Sequence, residues 1–218
     1  MTENVWQMSA WQFIFLGGPL MIPIFLCSVF AVGIVMEKFV YLKKVSTDIV
    51  AFKKNVFDSI RNNKVKEALQ LCETNASPIA KILKAGIIKY GSSREDIKEN
   101  MEDVSLYEIP KLESRLSALA TIAHVSPLLG LLGTVAGMTT CFNAIYLRAS
   151  AMNPVTSGDL AKGIFEALAT TLAGLLIAIP TYITYNYFVG RVHYFVIEME
   201  RAATELVNLM CQAHEINS

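Results

Sequence analysis

Two threonines and one glutamate are the residues of this chain whose types and positions could do chemistry. Thr134 lies in Pro127-Leu-Leu-Gly130-Leu-Leu-Gly133-Thr134-Val-Ala-Gly137-Met138. Thr171 lies in Gly163-Ile-Phe-Glu166-Ala-Leu-Ala-Thr170-Thr171-Leu-Ala-Gly174-Leu-Leu-Ile-Ala-Ile-Pro180. A hydroxyl placed in hydrocarbon must find a partner, and a helical threonine can satisfy itself on the carbonyl four residues back. Hydroxyls set beside glycines on small-sided helices are what a narrow, wetted path through a membrane would use. Glu166 is the one carboxylate beside these apolar stretches. It stands four residues after Lys162, which suits an ordinary i,i+4 ion pair, but an ionisable group next to a membrane span is also a functional candidate. His124, three residues before Pro127, reads as an interfacial, hydrogen-bonded histidine.

The absences narrow the chemistry further. No Asp, Glu, Lys or Arg lies in the middle of any apolar run. A chain that moved protons with these residues would need a carboxylate from a partner. No nucleotide fingerprint, His/Cys cluster or acid–base pair is present, so no catalytic residue, cofactor or metal is expected, an enzyme is disfavoured, and nothing points to nucleic acid. Cys27, Cys72, Cys141 and Cys211 are widely spaced and read as reduced packing residues.

Small residues must position the hydroxyls. Gly130, Gly133 and Gly137 share one helical face, as do Gly163, Ala167, Thr170 and Gly174. Gly133-x-x-x-Gly137 is the spacing that lets backbones approach in lipid. Two such faces on successive helices predict close packing on the neighbouring helix and on neighbouring subunits, with Pro127 and Pro180 in the same packing set.

The wider chain supplies the frame. Of 218 residues, 53% are apolar and only 17% charged, below the one-quarter or so of a soluble domain. Of the 19 Lys and Arg, 15 lie between Lys38 and Arg115. By the positive-inside rule that segment is cytoplasmic. The expected organisation is an N-terminal interfacial helix over 1–16, carrying Trp6 and Trp11, and a first span over 17–37. A cytoplasmic helical domain follows over 38–115, then a second span over 116–147, an outer loop over 148–162, a third span over 163–190 and a cytoplasmic C-terminal helix over 191–218. This is an all-α membrane protein with the N-terminus outside and the C-terminus inside. The absence of Lys or Arg before Lys38 argues against a secretory signal.

Within the cytoplasmic part, Phe39, Leu42, Val45, Ile49, Phe52, Val56 and Ile60 form one helical stripe continuing the first span. Asn62-Asn63 and Asn75-Ala-Ser-Pro78 are breaks around short helices, and Ser93-Arg-Glu-Asp96 is a capping box. From Arg94 the helix is expected to run into the second span without a stop, with Pro110 kinking it at most. The tail from Val192 to Met210 keeps a helical apolar stripe of Val196, Met199, Ala203, Leu206, Leu209 and Met210.

The two runs quoted above, in this order, strongly resemble the MotA/TolQ/ExbB proton-channel family, nearest its ExbB/TolQ branch, over at least Leu116 to Asn186. The resemblance implies a homopentamer in the bacterial inner membrane, its second and third spans lining a central pore. It implies an ExbD/TolR-like single-span partner with a membrane Asp inside that pore, and a TonB/TolA-like transducer beyond it. Proton motive force would drive rotation of one part within the other. The family's pore threonines fall on Thr134 and Thr171, counted from Glu166, which matches the family glutamate opening the third span. Either hydroxyl of Thr170-Thr171 could face the pore. Ala136 departs from the bulky aromatic of some members. The rival expectation is a non-conducting oligomeric scaffold for a single-span partner.

Overall fold

A computed structural model describes residues 17–46, 49–152, 154 and 156–217. The N-terminal helix expected over 1–16 lies outside the described residues. Among those described, the regular elements are all helices: α1 (Met21–Ser46), α2 (Ile49–Arg61), α3 (Val65–Thr74), α4 (Pro78–Ile88), α5 (Arg94–Glu113), α6 (Leu116–Ser150) and α7 (Ser157–Asn217). Three helical stretches, within Met21–Arg61, Arg94–Ser150 and Leu160–Gln212, are long and apolar enough to cross a membrane. Their uncharged runs fall in α1, α6 and α7.

The chain divides into two compact units. One combines the residues up to Met36 with Arg115–Asn186, and the other combines Glu37–Ser114 with Tyr187–Ser218.

The second unit is built around α4. Almost every side chain of this short helix is buried, Ile79, Ala80, Ile82, Leu83, Ala85 and Ile87 among them. A helix with so wide an apolar face, interrupted only by Lys81 and Lys84, has to be covered on most sides. Val56, Phe57 and Ile60 of α2, Ala68 and Cys72 of α3, and Ile97, Met101 and Leu112 of α5 complete the core. Local chemistry sets the ends of these helices. The Ser77 hydroxyl accepts from the Ala80 amide (3.4 Å), with Pro78 in the first turn of α4. The Ser93 hydroxyl accepts from Asp96 N–H (3.1 Å), as a capping serine does. Burial pushes the Cys72 thiol up to about 11, so it is a packing residue rather than a nucleophile.

A buried carboxylate pins α5 to α4. Glu108 is 5% exposed and accepts from Lys81 (2.9 Å) and from Lys111. Burial raises its pKa, but the two lysine hydrogen bonds and the lysine charges outweigh it and hold the carboxyl below the ordinary range. A depressed folded pKa contributes stability above the unfolded value, and that stability is lost as pH falls through the folded pKa. Glu108→Gln is therefore expected to cost about 1–2 kcal/mol at pH 7, less than a fully buried pair because both lysines stay half-solvated. It should also flatten the acid limb of stability. Amide exchange across α4, followed from pH 7 down to pH 4 in the full-length protein, checks both.

Two sequence expectations need correction here. The helix from Arg94 does not run into the second span: α5 stops at Glu113, Ser114 is extended (φ −50°, ψ 142°), and Arg115 is left-handed at φ +63° before α6 begins. No glycine or proline marks the stop, so it was invisible to local pattern. The C-terminal stripe is also shifted. Phe188, Val192, Phe195, Met199, Ala202, Leu206 and Met210 are buried, whereas Val196, Ala203 and Leu209 are only half-buried. Val196 and Ala203 instead line a groove of about 750 Å³ with Met101, Ser105 and Ile109 of α5. Apolar residues on both adjoining faces of α7 allow either phase.

Smaller differences lie at the outer ends. The first long helix starts at Met21 rather than at residue 17, with Pro19 in the turn before it and the Met21 amide on Gly18 O (3.1 Å). The third long helix begins at Ser157, so Lys162 and Gly163 lie inside it rather than at the loop's edge. Asn153, within the loop expected over 148–162, lies outside the described residues.

Candidate functional site: the α6–α7 seam

In the first unit, α6 and α7 meet along a row of very small residues. Ser126, Gly130, Gly133, Gly137 and Cys141 are buried on α6. Gly163, Ala167, Thr170 and Gly174 are buried on α7. The backbones come so close that no extra carbon fits. A Cβ on Gly174 would stand 2.6 Å from Ser126 O, and one on Gly137 2.7 Å from Gly163 O. A Cβ on Gly133 would overlap the Thr170 side chain. The glycine faces read from the sequence are thus spent inside one subunit. Ser126, which the sequence reading did not single out, belongs to the same row at the four-residue spacing before Gly130 and is fully buried.

The paired threonines divide their work. Thr170 is 1% exposed, and its hydroxyl donates within its own helix to Ala167 O (2.9 Å) and Glu166 O (3.1 Å). Thr171 is half-buried, and its hydroxyl crosses the seam to Gly130 O (3.0 Å). That carbonyl is reachable because Gly130 carries no side chain to shield it. Thr134 is half-buried and donates to Leu131 O (2.6 Å). Donation to a backbone carbonyl leaves the oxygen lone pairs of both Thr134 and Thr171 available to accept.

The first helix distinguishes the two flanks of the seam. Met21 and Ile24 of α1 pack with Ala173, and Leu129 and Ile177 close around them. At about 100° per residue, Leu129 stands on one side of the Gly130–Gly133 row and Thr134 on the other. Thr171 stands likewise opposite Ala173 and Ile177. With α6 and α7 antiparallel, Thr134 and Thr171 share the flank that α1 leaves uncovered. Pro127 is half-buried on that flank, and His124 and Tyr182 meet edge-to-face at 6.1 Å nearby. The imidazole is also held on Ala120 O (2.7 Å). Pro180, placed in the packing set from sequence, has an exposed side chain within this unit.

Glu166 is not brought together with these hydroxyls. It lies on the α1 side, its carboxylate against Gly18 in the turn that opens α1. Gly18 has φ +73°, a left-handed conformation, and a side chain there would overlap the carboxylate. No local sequence pattern signals this contact. Among the described residues, no group of three His, Cys, Asp or Glu could hold a metal.

The chain resembles known proteins over this region. Residues 74–201 match the model of the MotA/TolQ/ExbB proton channel family, more than half of the chain. A putative biopolymer transport protein ExbB homolog of Methanothermobacter thermautotrophicus is 32% identical over 158 residues, 72% of this chain and 54% of that protein. The biopolymer transport protein ExbB of Salmonella typhimurium is 28% identical over 202 residues, 81% of each. The Tol-Pal system protein TolQ of Haemophilus influenzae is 44% identical over 86 residues, 39% of this chain and 36% of that protein. This chain therefore spans about half of the Methanothermobacter relative and about a third of that TolQ. With three apolar helices of spanning length and a family match that runs through the seam, the chain is a membrane protein of the MotA/TolQ/ExbB proton channel family, on its ExbB/TolQ branch.

Proposed function

We propose that this chain is the channel, or stator, subunit of an inner-membrane complex that uses proton motive force to turn a partner and pass energy to the cell envelope. The observation that carries the reading is the shared flank of Thr134 and Thr171, two hydroxyls with free lone pairs on the side of the seam that α1 leaves open. Five copies would set these flanks around a central pore. Inside it, a single-span ExbD/TolR-like partner would present a membrane Asp, because this chain's spans hold no carboxylate of their own at mid-depth. The two hydroxyls would accept from the protonated carboxyl, and to hold the ionised carboxylate each would turn its own proton from its backbone carbonyl to that oxygen, so neither would itself change charge. A TonB/TolA-like transducer would receive the motion. The N-terminus would be periplasmic and the C-terminus cytoplasmic, with residues 38–115 and 191–218 forming the cytoplasmic part and the spans facing membrane lipid.

The reading is tested on the complex drawn from its own membrane through a tag at Ser218. Native mass spectrometry is expected to find five copies together with a single-span protein bearing a membrane Asp. Five copies alone would favour the scaffold, and a monomer or dimer that persists in a second detergent would remove the central pore. One observation speaks for the scaffold reading: Thr134 already satisfies its hydroxyl on Leu131 O, as a purely structural threonine would.

A further inference from the structure

The stop between α5 and α6 contradicts its own sequence. Leu112-Glu-Ser-Arg-Leu-Ser holds no glycine, proline or asparagine, yet Arg115 adopts the left-handed conformation that side chains avoid (φ +63°). Local preference favours a helix reading straight through, so a tertiary contact must hold the break open. One buried cation stands at that place. Lys38 of α1 is 3% exposed, and its ammonium donates to Leu112 O at 2.9 Å and approaches Ser114 Oγ at 3.5 Å. It also lies 5.5 Å from the centre of the Tyr41 ring. The Ser114 hydroxyl in turn donates to Lys111 O (2.9 Å). Two carbonyls of the last turn of α5 are therefore satisfied by side chains. In a continuous helix they would accept from the amides four residues on, at Leu116 and Arg115. A lysine at a helix C-terminus is favoured by the dipole as well.

We propose that Lys38 is a positioning residue that ends α5 at Glu113 and so fixes where the Thr134-bearing helix α6 begins. The Lys38 ammonium competes with the Leu116 amide for one acceptor, Leu112 O. While the lysine holds that carbonyl, Arg115 stays left-handed and α6 starts afresh, its first bond running from the Leu119 amide to Arg115 O (3.1 Å). Without the lysine, the carbonyl goes to Leu116, Arg115 relaxes to the right-handed form, and α5 and α6 become one helix. The inference concerns helix continuity and stands independently of whether Thr134 serves an ion path.

The test is hydrogen exchange on the whole detergent-solubilised complex, resolved over residues 111–121. In the parent protein the amides of Leu116, Ser117 and Ala118 should exchange fast, as at any helix start. Lys38→Met is expected to slow these three amides by roughly tenfold or more while α4 keeps its protection. Lys38→Arg, which retains a cationic donor, should restore fast exchange. Lys38→Met combined with Arg115→Gly should also restore it, because glycine accepts the left-handed conformation without the cap. Unchanged exchange at 116–118 in Lys38→Met would overturn the proposal. So would faster exchange spread throughout α4 and α5, which would make Lys38 a general core contact. Because the readout is amide protection, failure of the proton-motor reading would leave this result untouched.

Discussion

Thr171→Val, made at normal expression and assembly, is expected to cut proton-driven activity on the order of tenfold or more. Valine keeps the shape and removes only the hydroxyl, so the seam should survive. The lost bond to Gly130 O is worth about 0.6 kcal/mol by the average for such contacts in lipid. Gly130 O also retains its place as the acceptor of the Thr134 amide within α6. Thr134→Val is expected to lower activity in the same way, and Thr170→Val is the informative contrast. Thr170 is buried against Gly133 with its hydroxyl turned to its own backbone, so its loss should move thermal stability slightly and flux little. Proton uptake into vesicles holding the reconstituted complex, compared across the three variants, decides it. Loss in Thr134→Val and Thr171→Val but not Thr170→Val fits a shared wet flank. Full activity in both of the first two would remove these hydroxyls from the proton path.

Particular residues show what the sequence could and could not reveal. The cap at Ser93 and the breaks at Asn62-Asn63 and Asn75 were legible because turn chemistry is local. The glycine faces were legible because small residues at three- and four-residue steps mean close backbones whatever lies opposite. The assignment of those faces to subunit contacts was not legible, since spacing does not say which helix fills the row. The same limit hid the division between Thr170 and Thr171: adjacent hydroxyls are 100° apart, and only the positions of α1 and Gly133 show which is covered. Glu166 looked like half of a local pair with Lys162, but its carboxylate meets Gly18, nearly 150 residues earlier in the chain. Lys38 read as one more positive-inside charge. Its burial on Leu112 O depends on a partner 74 residues away, a contact that no window of sequence contains.

Because the seam lies within the subunit, substitutions in it are expected to fail before assembly. Gly174→Ala would place a carbon 2.6 Å from Ser126 O and 3.2 Å from the Gly130 Cα, both backbone atoms that cannot rotate away. Overpacking of this kind costs roughly 1–3 kcal/mol, and Gly174→Leu more. Gly133→Ala would overlap the Thr170 side chain as far in as its Cβ, which no rotamer moves, so a comparable cost is expected, with Gly133→Leu again severe. Gly33 supplies the control. A methyl there finds nothing within 4 Å, and alanine in a helix interior is favoured over glycine by about 1 kcal/mol. Gly33→Ala should therefore be neutral or slightly stabilising. Thermal unfolding of the purified complexes, read beside their copy number, separates two failures. A seam within the subunit predicts that Gly174→Leu lowers the yield of folded chain and gives no stable monomer. A seam between subunits would predict the opposite, a well-folded chain released from its oligomer. The contacts of Gly130, Gly137 and Gly174 with α7 and α6 of the same chain favour the first outcome. They also leave the flank of Thr134 and Thr171, not the glycine row, as the surface free to meet whatever stands beside it in the membrane.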